Sequence, residues 1–248
     1  MIGRELVLNL RETHLDDVKV PYLWETDSLL RLLNYAEVQA CRRAHLLIDG
    51  TTANDYGTAG TAGTLGQKPL CTVTLVAGTA TYNLSPKILS IKRCQLGSMT
   101  TPLSGPVSYD DLDYQLLPGW TGTAGSIGTA GSGGHPEVFL NKPGNTITFV
   151  RAPSASDTAY LVVSRIPLIS FTLQTAPEID EQHHDGLLDW AAHLAFMKND
   201  SDTLNLNLSK TYEDRFTLRF GPLPDAAAER WMKTFSQKQR MRPRAWGS

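Results

Sequence analysis

The sequence predicts an α+β protein: a helical bundle, built from one N-terminal helix and a C-terminal helical hairpin, with an antiparallel β-rich insertion and an extended C-terminal arm. Three observations predict it. Apolar residues recur at helical spacing near both ends of the chain, the middle alternates with a period of two, and the final segment mixes basic residues with tryptophans.

Taken in order, Met1 to Val20 carries no clear period. Pro21 then precedes Tyr22-Leu23-Trp24, and Thr26 is the expected N-cap of a helix. Leu29, Leu33, Ala36, Ala40 and Leu47 form its apolar stripe, with Arg31, Asn34 and Arg42 off it, giving about five turns that end at Asp49-Gly50. Residues 51–68 are rich in Gly, Thr and Ala and have no apolar face to bury, so they read as a loop. Thr72 to Val76 and Thr79 to Leu84 alternate on either side of Ala77-Gly78, a hairpin pattern, and Ile88 to Leu96 is a third strand. Pro102, Gly105 and Pro106 break the pattern, and Ser108 is placed to cap a short helix from Tyr109 to Leu117. A second glycine-rich loop, 119–135, shares the GTAG unit with the first. Neither loop has phosphate-cradling spacing.

Strands resume at Glu137 to Leu140, Thr146 to Arg151 and Ala159 to Ile166, with Pro143-Gly144-Asn145 turning between the first two. From Ile179 the helical period returns: Leu187, Leu188, Ala191, Leu194 and Ala195 share a face. Asn199-Asp200-Ser201 breaks that helix, and Ser201 is the expected cap of the next, which carries Leu204, Leu208, Tyr212, Phe216 and Arg219. Gly221-Pro222-Leu223-Pro224 ends the pair, and Asp225 caps a third segment, Ala226 to Gln237. The expected organisation is therefore a bundle formed by residues 1–50 and 179–225, a β-rich insertion over 51–178, and an arm over 226–248. The N-terminal helix should pack on the C-terminal pair, because each has one apolar face and none can bury it alone. The core is expected at Leu29, Leu33, Ala36, Ala40, Leu187, Leu188, Ala191, Leu194, Leu208, Tyr212 and Phe216.

Composition narrows the function. The 248 residues are 41% hydrophobic and only 19% charged, which leaves surface for burial in partners. A net charge of −2 gives no global drive towards nucleic acid or anionic membrane. Cys41, Cys71 and Cys94 show no CxxC spacing and read as reduced, buried thiols of a protein made in a cytoplasm. Signal-peptide grammar is missing, and no apolar run approaches the ~20 residues that cross a bilayer.

The chemically suggestive cluster is His183-His184-Asp185 with Asp189 and His193. Asp185, Asp189 and His193 share a helix face but span about 12 Å by helical rise. A metal holds its ligands at ~2–2.6 Å, so at most an adjacent pair could share one. HExxH is absent, and Glu181 with His184 is a lone ExxH pair. The cluster is expected to be a solvated or partner-facing polar stripe. Ser126 and Ser132 lack the strand-turn-helix context of a nucleophile, and Asp110, Asp111 and Asp113 suit the start of a short helix. No catalytic residue, metal or cofactor is expected. In the arm, Arg230, Lys233, Lys238, Arg240, Arg242 and Arg244 stand against one acid, Glu229, with Trp231, Phe235 and Trp246 between them. A solvated basic tail and a phosphate-binding segment are both compatible with this. Tryptophan favours a docking arm that orders on an acidic protein surface.

Leu15-Asp16-Asp17, Pro21-Tyr22-Leu23-Trp24, Leu29-Leu30-Arg31-Leu32-Leu33-Asn34, Ala36-Glu37, Ala40-Cys41-Arg42-Arg43 and Leu46 resemble the opening helix of tailed-phage head-to-tail adaptor (connector) proteins, including the podovirus tail-tubular-A-like proteins. So do Ile179-Asp180, His184-Asp185-Gly186-Leu187-Leu188-Asp189-Trp190-Ala191-Ala192 and Tyr212-Glu213 to Phe216. The resemblance implies a structural virion protein at the portal vertex, a ring of about twelve copies. The ring would bind the portal through residues 226–248, meet a downstream tail or nozzle protein, and pass double-stranded DNA through its lumen without specific binding. Other readings are a different tail or baseplate subunit, or a metal-dependent enzyme using His183 to His193.

Overall fold

The computed structural model describes residues 1–50, 70–107, 136–142, 145–199 and 203–226. The expected glycine-rich loops, the helix from Tyr109 to Leu117, Ser201 as a cap, Pro143-Gly144 and nearly all of the arm lie outside these residues. The fold is α+β and divides into two compact units.

The helical unit comprises Met1–Ile48 and Ser164–Pro224. It opens with α1 (Gly3–Leu10), which runs into a wider turn, Arg11–Leu15. No period was visible here because the buried set, Leu6, Val7, Leu10 and Leu15, is too short to declare one. Next comes α2 (Thr26–Ala44). Its N-cap is Glu25 rather than Thr26, whose hydroxyl instead accepts from Arg11 Nη2 at 3.3 Å. The helix stops earlier than expected, because His45 turns left-handed at φ 51° and sends Leu47 into a short strand, β1 (Leu47–Asp49).

After the β-rich unit, a strap without regular structure leads to a 3-10 turn (Glu181–His183) and to α3 (His184–Phe196), followed by α4 (Leu206–Phe220). The cap of α4 is Asn205, whose side chain accepts from the Leu208 amide at 3.1 Å. α3 is the centre of the unit and packs against α4, α2 and α1. Leu29, Leu33, Ala36, Ala40, Leu187, Leu188, Ala191, Tyr212 and Phe216 are buried there, each fully buried leucine contributing roughly 1.5–3 kcal/mol. Leu194 is half-buried at the edge. Leu208 corrects the expected core: it is exposed, because the inward arc of α4 runs through Ser209, Tyr212, Phe216 and Phe220, one residue further round. Rings then stack through the unit, with Phe216 4.9 Å from Trp190 and 4.7 Å from Phe220.

The β-rich unit falls within Asp49–Val163. Its strands are β2 (Thr72–Leu75), β3 (Thr81–Asn83), β4 (Ile88–Leu96), β5 (Val138–Lys142), β6 (Thr146–Val150) and β7 (Asp157–Arg165). The expected hairpin is corrected. β2 pairs antiparallel with β7, Thr72 opposite Tyr160, whereas β3 pairs with β6 in a second sheet, Thr81 opposite Thr148. Ala77-Gly78 thus crosses between sheets, and Gly78 at φ 79° sends its amide to the Pro153 carbonyl at 2.8 Å. β7 bonds to β1, β2 and β4, while β6 lies between β3 and β5. Phe139, Ile147, Phe149, Leu75, Leu96 and Leu161 are fully buried, as Cys71 and Cys94 are.

The contact between α3 and α4 leaves no room at Gly186, where an added Cβ would lie 2.5 Å from the Phe220 ring. Alanine in a helix interior ordinarily stabilises by about 1 kcal/mol over glycine. Gly186→Ala should instead lower the melting temperature, and Phe220→Leu in the same chain should recover most of the loss; a stabilised single variant would refute this packing.

Candidate interaction surface

Of the polar cluster expected to be a solvated or partner-facing stripe, Asp185 is exposed and His183 half-buried, whereas the other three members are enclosed. His184, Asp189 and His193 are all buried, and each is bound to a different neighbour. His184 Nε2 donates to the Ile179 carbonyl at 3.0 Å, and burial holds its imidazole below the usual histidine range, so it is neutral at physiological pH. His193 Nδ1 lies 3.0 Å from both the carbonyl and the hydroxyl of Ser209, joining α3 to α4, and its ring sits 4.7 Å from Trp190. Asp189 lies 3.4 Å from His14 Nε2 on one side and 3.4 Å from Arg219 Nε on the other. Packing separates these groups because α3 meets a different element on each side. Among the described residues no group of three His, Cys, Asp or Glu is placed to hold a metal ion.

His14 was invisible as a partner in the sequence, since only the turn at Arg11–Leu15 carries it to α3. Thr13 is beside it, its hydroxyl donating back to the Asn9 carbonyl at 2.5 Å, a local bond that commits its proton. These residues, with Asp185, Leu188, Arg215, Leu218 and Arg219, line a cleft of about 630 Å³. At its floor Asp189 lies between His14 and Arg219, and its rim mixes charged Asp185 and Arg215 with exposed Leu218.

Exposed apolar side chains are the stronger signal. On α4, Leu218 is 89% exposed and Leu206 65%, with Leu204 and Leu208 nearby in sequence. On the loop between α1 and α2, Val20 is 79% exposed, with Val18, Tyr22 and Leu23 around it. A second groove, of about 580 Å³, is lined by Leu23, Trp24 and Leu32 from the start of α2 and by Leu194 and Met197 from the end of α3. Scattered apolar residues are ordinary; the exposed ones on α4 and on this loop are among the large apolar side chains that the helical unit leaves uncovered.

The loop is held in place. Asp17 and Arg11 are buried and ion-paired. Asp17 also accepts the amides of Leu23, at 2.8 Å, and Trp24, at 3.3 Å, while Arg11 Nη2 donates to the Trp24 carbonyl at 2.6 Å. The guanidinium lies 4.0 Å from the centre of the Tyr22 ring. Apart from the Arg11 bond to the Thr26 hydroxyl at the start of α2, these contacts return to the same loop, so the pair fixes how Val18, Val20 and Leu23 are presented. A third cation, Arg43, lies 4.7 Å over Trp190 and 4.9 Å over Phe216 and donates to the Gly221 carbonyl at 3.2 Å, fastening the end of α4 to α2.

Removing Asp17 would strand a buried guanidinium. Asp17→Ala should cost about 3–5 kcal/mol in urea denaturation, and should raise protease cutting between residues 16 and 25. A loss under about 1 kcal/mol would assign the pair no role in fixing the loop.

Comparison with known proteins agrees with this picture of a protein built for contact. No curated protein matches the chain. A family model described as SU10 adaptor protein matches residues 5–243, from the first turn of α1 into the basic segment beyond Pro224. With nearly its whole length matched, the chain belongs to the SU10 adaptor protein family.

Proposed function

We propose that this chain is the subunit of a head-to-tail adaptor ring, which binds the portal of a tailed phage and extends the DNA channel towards the tail. As a family member it is a phage structural adaptor, a virion component that associates with other virion proteins. The finer reading is supported by one observation above all: the match to the adaptor family runs through the helical unit and on to residue 243, within the basic segment.

In this reading the helical units form the ring wall, about twelve copies round. Such a ring needs two different, complementary faces on each subunit, because a head-to-tail contact closes a circle only when unlike patches meet. Exposed Leu206 and Leu218 on α4 and the clamped loop with Val18 and Val20 supply two apolar patches of the kind required. Arg230, Trp231, Lys233, Phe235, Lys238, Arg240, Arg242, Arg244 and Trp246 are the portal-docking residues: tryptophan and arginine recur at interface hot spots, and a downstream tail or nozzle protein would meet the opposite end. The net charge of −2 suits a lumen through which double-stranded DNA slides, since each phosphate contact would add affinity and friction.

Two measurements test it. A chain ending at Pro224 should keep the melting temperature of the full protein yet lose at least tenfold in affinity for purified portal; full binding by the truncated chain rejects the docking arm. Leu218→Asp, on a residue that touches solvent, should leave monomer stability within about 0.5 kcal/mol. The same variant should prevent ring closure on the portal as read by particle images, and intact rings would remove α4 from the wall contact.

A further inference from the structure

One polar contact of the helical unit is out of keeping with its surroundings. Glu37 sits mid-way along α2 on the buried face, 1% exposed, between Leu33, Ala36, Ala40 and Cys41. Its Oε1 accepts two consecutive amides of the strap before α3, from Glu178 at 2.6 Å and from Ile179 at 3.3 Å. Among the described residues no cation is hydrogen-bonded to it. Arg165 is instead paired with Glu178 at 2.6 Å, and the other Glu178 oxygen accepts the amides of Leu168, at 2.6 Å, and Ile169, at 2.9 Å. The strap is tied elsewhere by Asn34 Nδ2 to the Phe171 carbonyl and by the amides of Gly3 and Arg4 to the carbonyls of Thr175 and Leu173. Glu37 is therefore the one buried acid among these fastenings.

We infer that Glu37 is a protonation-dependent fastener, holding the strap of residues 166–180 on α2 when neutral and loosening it when ionised. A neutral carboxyl keeps Oε1 as acceptor for both amides and buries no charge. An ionised one accepts the same amides but must leave water with no bonded cation, an expensive state that opening the strap relieves. The groups facing it are Glu178, which opposes its ionisation, and Arg165, which favours it, with Cys41 one turn along its own helix. α1, α3 and α4 add no charge acting on it. Burial outweighs the two amide bonds and raises its pKa from 4.5 to about 7. The folded pKa is raised, so the stabilisation from Glu37 is complete below the unfolded value of 4.5 and is lost as pH rises through about 7. The strap runs from the end of β7 to α3 within the helical unit, so a change in its fastening acts on how that unit is closed over α2. The proposal does not depend on the adaptor reading.

Hydrogen exchange of the full-length protein tests it. After correction for intrinsic rates, the opening constant of amides 166–180 should rise about tenfold from pH 6 to pH 8, the amount expected for an acid titrating at about 4.5 when open and about 7 when closed. Glu37→Gln keeps the amide acceptor and cannot ionise, so its opening constant should change less than about twofold over that range. Equal pH dependence in both proteins, or none in the native chain, overturns the proposal. Should Glu37→Gln fail to fold, carbon-13 titration of the Glu37 carboxyl in the native chain decides: a midpoint below pH 5 overturns it and one near 7 upholds it.

Discussion

The helical unit hangs on the burial of α3. Eleven of its thirteen residues are buried, including three polar ones, so this helix has no solvent face of its own and must be wrapped. α2 and α4 cover it on two sides and α1 on a third. That constraint explains the residues that look chemically active in the sequence. A histidine or aspartate on a helix enclosed all round has to find a hydrogen-bond partner within the protein: Asp189 meets His14 on the turn after α1, His193 meets Ser209 on α4, and His184 meets the Ile179 carbonyl of the strap that leads into α3. Their role is to join layers. The large exposed apolar side chains lie elsewhere, on α4 and on the loop after α1.

Three sets of ionisable side chains are held in the helical unit by different chemistry. Arg11 and Asp17 are mutually neutralised and hydrogen-bonded on both sides, a fixed arrangement that locks a short loop. Arg43 gains its compensation from two aromatic faces and a helix-end carbonyl. Glu37 has neither a bonded cation nor an aromatic cradle, only backbone amides. The contrast gives the unit both rigid attachments and, at Glu37, one whose strength depends on protonation.

Much of the architecture could be read from the residues. The stripes Leu29-Leu33-Ala36-Ala40 and Leu187-Leu188-Ala191 are strong 3.6-residue patterns, and the alternation in β7, with Ala159, Leu161 and Val163 inward, is an equally plain two-residue pattern. What the pattern could not reveal was partner choice. β2 and β3 look like a hairpin because they are adjacent and alternate, yet their hydrogen bonds go to β7 and β6, dozens of residues away. Local periodicity carries no information about which distant strand completes a ladder. Leu208 was misplaced for a related reason. A four-residue step through Leu208, Tyr212 and Phe216 follows a helix nearly as well as the true arc through Ser209, and only the packing partner distinguishes them. The exposed apolar residues were legible as letters but not as surface, since exposure is a property of the fold.

The division of the helical unit between the two ends of the chain bears on how the protein is made. α2 is complete at Ala44, but its covering surfaces on α3 and α4 are encoded from His184 to Phe220. At ordinary translation rates the ribosome needs on the order of ten to thirty seconds to cover that interval. Throughout it, Leu29, Leu33 and Ala40 have nothing to pack against except nascent neighbours and chaperones. The β-rich unit emerges and can close its own ladders in the meantime. Assembly of the bundle is thereby deferred until α3 and α4 have been made, when the amphipathic segment of α2, already waiting, is captured by that hairpin.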